Sequence, residues 1–189
     1  TEEICPPKKP GRLIVLETEG WEDCNQKTKD AFFNYLEPLK SLVVELIRRS
    51  DDKSIEHFEK SILGSVILCR IICSYEIRWL LRNYQATGLL SEDLNQWLDL
   101  AECMTPQDYR EALQKRDEIR NALLALGPLA DGLITLSSHG PAPSLSQLVD
   151  SGGPEFAYKT GYSSFNAATS ALGLPCFTLP MLGIEGIPM

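Results

Sequence analysis

The chain has 189 residues and a formal net charge of −8. This acidic balance argues against nucleic acid as a partner, because phosphate groups attract basic surfaces. Hydrophobic residues make up 43% of the chain and charged residues 23%, a balance that permits a packed core. No apolar run approaches the roughly 20 residues that span a bilayer, and the polar, proline-rich stretch 1–10 is unlike a secretory signal. We therefore expect one acidic cytoplasmic domain or lobe, 1–189, without a membrane or nucleic-acid partner.

The cysteines are too dispersed to form the dense disulfide framework of a small secreted protein. Their positions are Cys5, Cys24, Cys69, Cys73, Cys103 and Cys176. Cys69 and Cys73 stand four apart in an apolar stretch, where free thiols are commonly buried. No CxxC pair occurs, and His57 is the only histidine near them, so we predict no metal site.

The first part of the chain alternates predicted strands and helices. Residues 12–17 form a short β-rich run with punctuation on both sides, which predicts a buried strand. Apolar residues at helical spacing predict a helix over 25–39. The run 42–47 is ambiguous by periodicity, and its Val-Val centre favours a strand. Over 54–84 the apolar residues cover a wide arc of one long helix, which is typical of a buried helix.

The middle of the chain carries the clearest local signals. Ser91 is placed to cap a short helix. Thr105 fits the N-cap of a longer helix, and Pro106 fits its first position, where the missing N–H has no partner to lose. That helix should end at the Gly-Pro pair 127–128. The apolar run 132–136 then predicts another buried strand.

The end of the chain changes character. Residues 137–164 are rich in Ser, Gly and Pro, and a loop of this length is commonly functional or lacks a partner surface. A short helix over 165–172 and a strand over 175–179 are predicted to follow.

The stretch 160–180 reads TGYSSFNAATSALGLPCFTLP. It contains a Thr-Gly start, a Phe-Asn pair, a helix of small residues, a Gly-Leu-Pro turn and an apolar run ending in proline. This order resembles a late segment of amidase-signature hydrolases. The strand and Gly-Pro-Ala-Pro loop at 132–143 and the opening strand and turn at 13–21 are also similar to that family. The resemblance implies an α/β fold, a mixed β-sheet flanked by helices, of which this chain would be the C-terminal, substrate-side lobe.

The resemblance also implies hydrolysis of a small-molecule amide, at a C–N bond other than a peptide bond. The family uses a serine nucleophile, a second serine in a cis peptide and a lysine base. This sequence has no Gly-Gly-Ser-Ser-Gly-like run. Ser163, Ser164 and Lys159 match the catalytic residue types, but the serine pair falls where family members more often carry Asp-Pro. We therefore predict no catalytic residue and no cofactor in this chain, and expect it to be inactive without the catalytic N-terminal half.

Five candidate substrate-binding residues lie late in the sequence. Phe165 and Asn166 match the family's Phe-Asn pair beside the expected acyl pocket, although packing and capping at a helix start explain them equally well. Thr160 and Gly161 would shape the same loop, where Gly161 equally serves simply to allow a turn. Ser137 follows a predicted strand, a place where ligand-contacting loops often lie.

A sixth candidate, Arg78, comes from the predicted long helix. Arg78 and Arg82 are four apart and therefore share a helix face, in a run with three aromatic residues. As a fork they would bind a substrate carboxylate. The alternative, which we favour, is that they pair with acidic residues such as Glu76 or stack on the aromatic rings.

Two other interpretations remain open at the sequence level. One is a truncated, non-catalytic amidase-like binding or regulatory subunit, which would keep the pocket without the nucleophile. The other is an unrelated helical interaction protein, which would contain mostly helix and no sheet. A lobe of the amidase fold would leave strand edges and an apolar helix uncovered, so we expect it to bind the catalytic half or itself.

Overall fold

The computed structural model describes residues 6, 8–42, 44–142 and 164–189. Its centre is a parallel sheet of three strands in the order β2-β1-β3. A separate antiparallel pair, β4 with β5, forms a hairpin at the end of the chain. The strands are β1 Arg12–Val15, β2 Glu45–Ile47, β3 Gly132–Ile134, β4 Gly183–Ile184 and β5 Ile187–Pro188.

Helices connect these strands and cover the sheet. They are α1 Gln26–Ser41, α2 Lys53–Ser61, α3 Ser65–Gln85, α4 Glu92–Glu102, α5 Pro106–Leu124 and α6 Ser164–Leu172, with a 3-10 turn at Glu19–Trp21. The β1-to-β2 connection contains α1, and the β2-to-β3 connection contains α2 to α5. The first connection moves from the centre of the sheet to one edge, and the second moves from that edge to the opposite one. Because crossovers between parallel strands are right-handed, the two connections place their helices on opposite faces of the sheet.

The alternation of side chains along β1 separates two hydrophobic clusters. Ile14 and Leu16 face one side and pack with buried residues of α2, α3, α5 and α6. Val15 faces the other side and packs with Phe32 and Leu36 of α1. Ile14, Val15 and the following Leu16 are at most 1% exposed, so the end of the central strand is buried on both faces.

Most of the predicted elements are confirmed. Asn25, Ser91 and Thr105 are the N-caps of α1, α4 and α5. The Thr105 hydroxyl accepts from the Asp108 N–H at 3.2 Å, and the Asp108 carboxylate accepts from the Thr105 N–H at 2.8 Å. The α/β class is confirmed, with parallel and antiparallel pairing both present. A helical protein without a sheet is therefore excluded.

The prediction of one helix over 54–84 is wrong. The chain leaves the helix after α2 and starts again at α3, because Gly64 adopts the left-handed conformation with φ of 79°. The Gly64 N–H donates to the Glu19 carboxylate at 2.8 Å, which ties this break to the turn after β1.

The predicted strand over 175–179 is also wrong. These residues pair with no strand among the described residues, although their composition favours extended structure. A strand needs a neighbouring strand to pair with, and β3 and residues 175–179 line opposite walls of one cavity. Among the described helices, none is long and apolar enough to cross a membrane.

Candidate functional site

A cavity of about 560 Å³ lies between β3, α6 and the residues that follow α6. One wall runs along 131–137, which comprises β3 and its carboxyl end. A second wall is α6, through Phe165, Asn166, Thr169 and Leu172. The third is formed by residues 174–182, which we call the wall segment. Ligand pockets in α/β proteins commonly lie beside strand ends of this kind and have this size.

One face of helix α6 lines the cavity, and its other face packs in the protein core. Its small residues Ala167, Ala168 and Ala171 are at most 6% exposed and let the helix lie close to α3. The backbone carbonyl of Ala167 accepts from the thiol of Cys69 at 3.3 Å. Asn166 is exposed on the other face, so the helix presents its polar side to the cavity.

The start of α6 is held by the turn after β1. The Phe165 ring packs edge-on against Trp21, with centroids 6.4 Å apart, and the Trp21 indole N–H donates to the Leu16 carbonyl at 3.0 Å. Gly20 lies so close that a Cβ there would be 2.5 Å from the Ser164 hydroxyl oxygen and 2.6 Å from the Phe165 ring. Glycine is therefore required at position 20 for α6 to sit where it forms the cavity.

Both ends of β3 carry polar groups. At its start, the Asp131 carboxylate accepts the N–H groups of Gly11 and Arg12 at 2.8 and 3.1 Å, and these hydrogen bonds hold the pKa of Asp131 below its ordinary value. At its end, Leu136 is buried and Ser137 lines the cavity. One oxygen of the Asp131 carboxylate, Oδ2, is thus held by the backbone, and both Asp131 and Ser137 line the cavity.

The wall segment is apolar and largely exposed. Leu174, Phe177, Leu179 and Met181 are 46%, 88%, 64% and 49% exposed. Its far end is attached to α1, where the Tyr35 hydroxyl contacts the Met181 sulfur at 2.8 Å. The resulting surface is an apolar wall with nothing among the described residues packed over most of it.

Three of the six predicted site residues meet in this cavity: Ser137, Phe165 and Asn166 all line it. Thr160 and Gly161 lie outside the described residues. Phe165 is only 1% exposed and serves mainly as packing, whereas Asn166 is exposed. Their roles in binding remain predictions.

Arg78 lies elsewhere, on α3, and does not line the cavity. Its guanidinium carbon is 3.8 Å from the centroid of the Tyr75 ring, and Tyr75 stacks on Tyr109 with centroids 4.3 Å apart. The Tyr109 hydroxyl donates to the Glu76 carboxylate at 2.7 Å. The neighbouring Arg82 pairs with Glu102. Arg78 therefore stacks on an aromatic ring, as the alternative interpretation of the sequence expected. A role for Arg78 in substrate binding remains a prediction.

Sequence patterns missed several residues of the cavity. Thr169 lies three positions after Asn166 on the same helix, so helical spacing was a sufficient signal for it. Tyr35, Phe177 and Met181 also line the cavity, and they come from segments whose proximity only the fold determines.

The cavity is mainly apolar. Its described lining combines hydroxyl groups, one carboxamide and the carboxylate of Asp131 with many apolar side chains, and it includes no lysine, arginine, histidine or glutamate. The Ser164 hydroxyl, beside it, is buried and has no hydrogen-bond partner in the described structure. Groups of three or more His, Cys, Asp or Glu suited to a metal ion do not occur in the described part of the chain. The arrangement can hold a neutral, mainly apolar molecule.

Comparisons with known proteins identify the fold. No family model matches the chain, and no curated protein matches its sequence. Among solved structures, a crystal structure of an amidase matches with a TM-score of 0.69 and 21% sequence identity. The match covers 94% of this chain and 39% of the amidase chain. The fold is therefore amidase-like, and this chain spans 39% of the length of that relative.

Proposed function

We propose that these 189 residues form the substrate-side part of an amidase-signature hydrolase that acts on a small-molecule amide. The observation that carries the proposal is the meeting of Ser137, Phe165 and Asn166 at one cavity within an amidase-like fold. Two of these residues come from the sequence motif that resembles the family.

In this proposal the catalytic serines and the lysine base come from residues outside this sequence. The described lining contributes the Ser137 hydroxyl but no lysine or histidine to act as the base, and its one carboxylate, that of Asp131, accepts the N–H groups of Gly11 and Arg12. The cavity then binds and orients the substrate, and the chain by itself does not hydrolyse it.

The partner in this proposal is the catalytic half, whether in the same polypeptide or in another, with self-association as the alternative. No described residue pairs with the outer edge of β2 or of β3, and the apolar residues Trp79, Leu80 and Phe177 are exposed. Both observations support a partner, because such surfaces favour association. The cysteines of the described residues are all free, which supports a reducing, cytoplasmic location.

A non-catalytic binding or regulatory subunit is the second candidate. It is favoured by the same mainly apolar lining, since a pocket without a lysine or histidine base can bind an amide without cleaving it. The two candidates differ in whether an activated serine accompanies this chain.

A fluorophosphonate probe, which reacts with activated serines, separates them. The native protein is purified from its source with an antibody to this chain, treated with the probe and mapped by mass spectrometry. We expect labelling of a serine outside these 189 residues, in the same polypeptide or in a stoichiometric partner. Labelling of a serine within them would overturn the proposal, and no labelling would favour the binding subunit.

A further inference from the structure

Helices α3 and α4 run antiparallel and form a hairpin. The Gln85 carboxamide donates to the carboxamide oxygen of Asn95 at 3.1 Å, close to the turn between the two helices. Leu81, Leu98 and Ala101 are at most 4% exposed and lie in the seam where the helices pack together. Among the described elements, α4 packs extensively only against α3. The outer surface of the hairpin is therefore open.

One side of the seam is closed by an ion pair, and the other side is apolar. Arg82 of α3 pairs with Glu102 of α4, and each stands one position after a seam residue. Residues one position before a seam residue project to the opposite side, because successive helix residues are about 100° apart. Leu80 and Leu100 hold those positions. We call this side the apolar face; its residues, between 36% and 56% exposed, are Ile77, Leu80, Tyr84, Trp97 and Leu100.

The apolar face is large enough for a stable dimer. A large side chain has roughly 150–250 Å² of surface, so five that are about half exposed leave roughly 500 Å² of apolar surface. An interface of standard size buries about 800 Å² on each partner, and a little more than half of that area is apolar. The apolar face therefore supplies the apolar part of such an interface.

The charges of the two helices complement each other. Helix α3 carries three arginines and one glutamate, at positions 70, 78, 82 and 76. Helix α4 carries four acidic residues and no basic one, at positions 92, 93, 99 and 102. When two hairpins meet face to face about a two-fold axis parallel to the helices, each α3 lies antiparallel on the partner's α4. Opposite charges then meet around the interface, whereas the acidic α4 would repel an anionic lipid surface or a nucleic acid.

We propose that two copies of this chain pair through their apolar faces, with each α3 on the partner's α4, to form a four-helix bundle. None of the residues of the apolar face lines the cavity. The pairing therefore goes beyond the proposed function and does not depend on it.

Sedimentation velocity of the protein between about 1 and 100 µM tests the pairing, and we expect a concentration-dependent equilibrium between monomer and dimer. Leu80→Glu should weaken dimerisation at least about tenfold, because it places a carboxylate opposite the acidic α4 of the partner. Leu80→Lys should weaken it less, since its ammonium group faces acidic side chains. At Leu100 the order should reverse, because that position faces the arginine-bearing α3 of the partner.

Leu124→Glu is the control. Leu124 ends α5, is 74% exposed and lies outside the hairpin, so this variant should dimerise within about twofold of the unaltered protein. Circular dichroism melts of all five variants verify that the fold is kept.

Each outcome supports or overturns a stated part of the proposal. A protein that stays monomeric over this range overturns the pairing, and co-sedimentation of that monomer with phosphatidylcholine vesicles would assign the apolar face to a membrane surface instead. A dimer that neither Leu80→Glu nor Leu100→Lys weakens overturns the assignment to this face. The same order of Glu and Lys at both positions overturns the arrangement of α3 on the partner's α4.

Discussion

Two regions beside α6 are both rich in apolar residues, but they differ in how far those residues are buried. The closed core, between β1 and helices α2, α3, α5 and α6, buries Phe58 to 1% exposure. The open edge, formed by β3 and the wall segment, leaves Phe177 88% exposed. Burial is therefore a property of the neighbours a segment finds, and not of the segment's own hydrophobicity.

The difference arises from the topology of the sheet. β1 has a strand on each side and helices on both faces, whereas β3 has β1 on one side and no strand among the described residues on the other. The wall segment lines the cavity opposite β3 but does not pair with it. Among the described residues, the candidate site therefore lies at the side of the sheet where no further strand follows β3.

The largest effect should come from truncating a ring in each region. Phe58→Ala removes a fully buried ring from the closed core and should destabilise the protein by roughly 3–5 kcal/mol. The same substitution at Phe177 should change stability by no more than about 0.5 kcal/mol, because the ring is exposed. Urea denaturation measures both. Comparable losses for the two variants would contradict the assignment of an open edge.

Thiol reactivity should next separate the open edge from the second buried cluster, which contains Cys24 and lies on the α1 side of β1. Burial raises the pKa of the Cys24 thiol to about 11, against 9.0 for an ordinary thiol. The lower thiolate fraction should slow its alkylation at pH 8 about 100-fold relative to an ordinary thiol. Cys176, exposed in the wall segment, should react quickly with iodoacetamide in the same sample. Peptide mapping by mass spectrometry resolves the two, and equal rates would show that the region around Cys24 opens readily.

The contact of Gly20 with the start of α6 can be tested by adding a single methyl group. Gly20→Ala places a methyl group against Ser164 and Phe165 and should destabilise the protein by roughly 1–3 kcal/mol. Gly11→Ala is the control, since its Cβ would meet only the Asp131 carboxylate, at 3.7 Å. If Gly20→Ala and the unaltered protein have the same melting temperature, the packing of α6 on this turn is looser than described.

The smallest expected effect concerns Glu56 and Glu59 on α2, whose contributions to the stability of the protein should depend on pH in opposite ways. Burial, the largest influence, raises the pKa of Glu59, while hydrogen bonding by the Glu17 N–H and the charge of Arg49 lower it. The Lys60 ammonium holds the pKa of the exposed Glu56 below its ordinary value. The stabilising contribution of Glu59 is therefore present below the ordinary glutamate pKa and lost as pH rises, whereas that of Glu56 is present above it and lost as pH falls.

Urea denaturation between pH 4 and pH 7 measures this pair. Relative to the unaltered protein, Glu59→Gln should gain stability as pH rises and Glu56→Gln should lose it. Parallel curves for the two variants would mean that Glu59 is hydrated in solution, despite the 5% exposure of its side chain.

The candidate site was predictable in part. Phe165, Asn166 and Ser137 were identified from a motif and from a position after a strand, and all three line the cavity. Arg78 was selected because arginine and aromatic residues share a helix face, but the same spacing also places Arg78 on the Tyr75 ring. Residue spacing along a helix does not indicate which neighbouring element occupies that face.

The sequence by itself determined the elements whose signals are local. The Thr105 cap and the starts of α1 and α4 depend on hydrogen bonds within a few residues, and the three core strands are short apolar runs rich in β-branched residues, so they could be predicted. Only the tertiary structure decided the break at Gly64, the absence of a strand at 175–179 and the cavity beside β3. Each of these depends on a partner distant in sequence: the Glu19 carboxylate for the break, and an unpaired sheet edge for the other two. Strand pairing and burial are properties of two surfaces, and one segment of sequence contains only one of them.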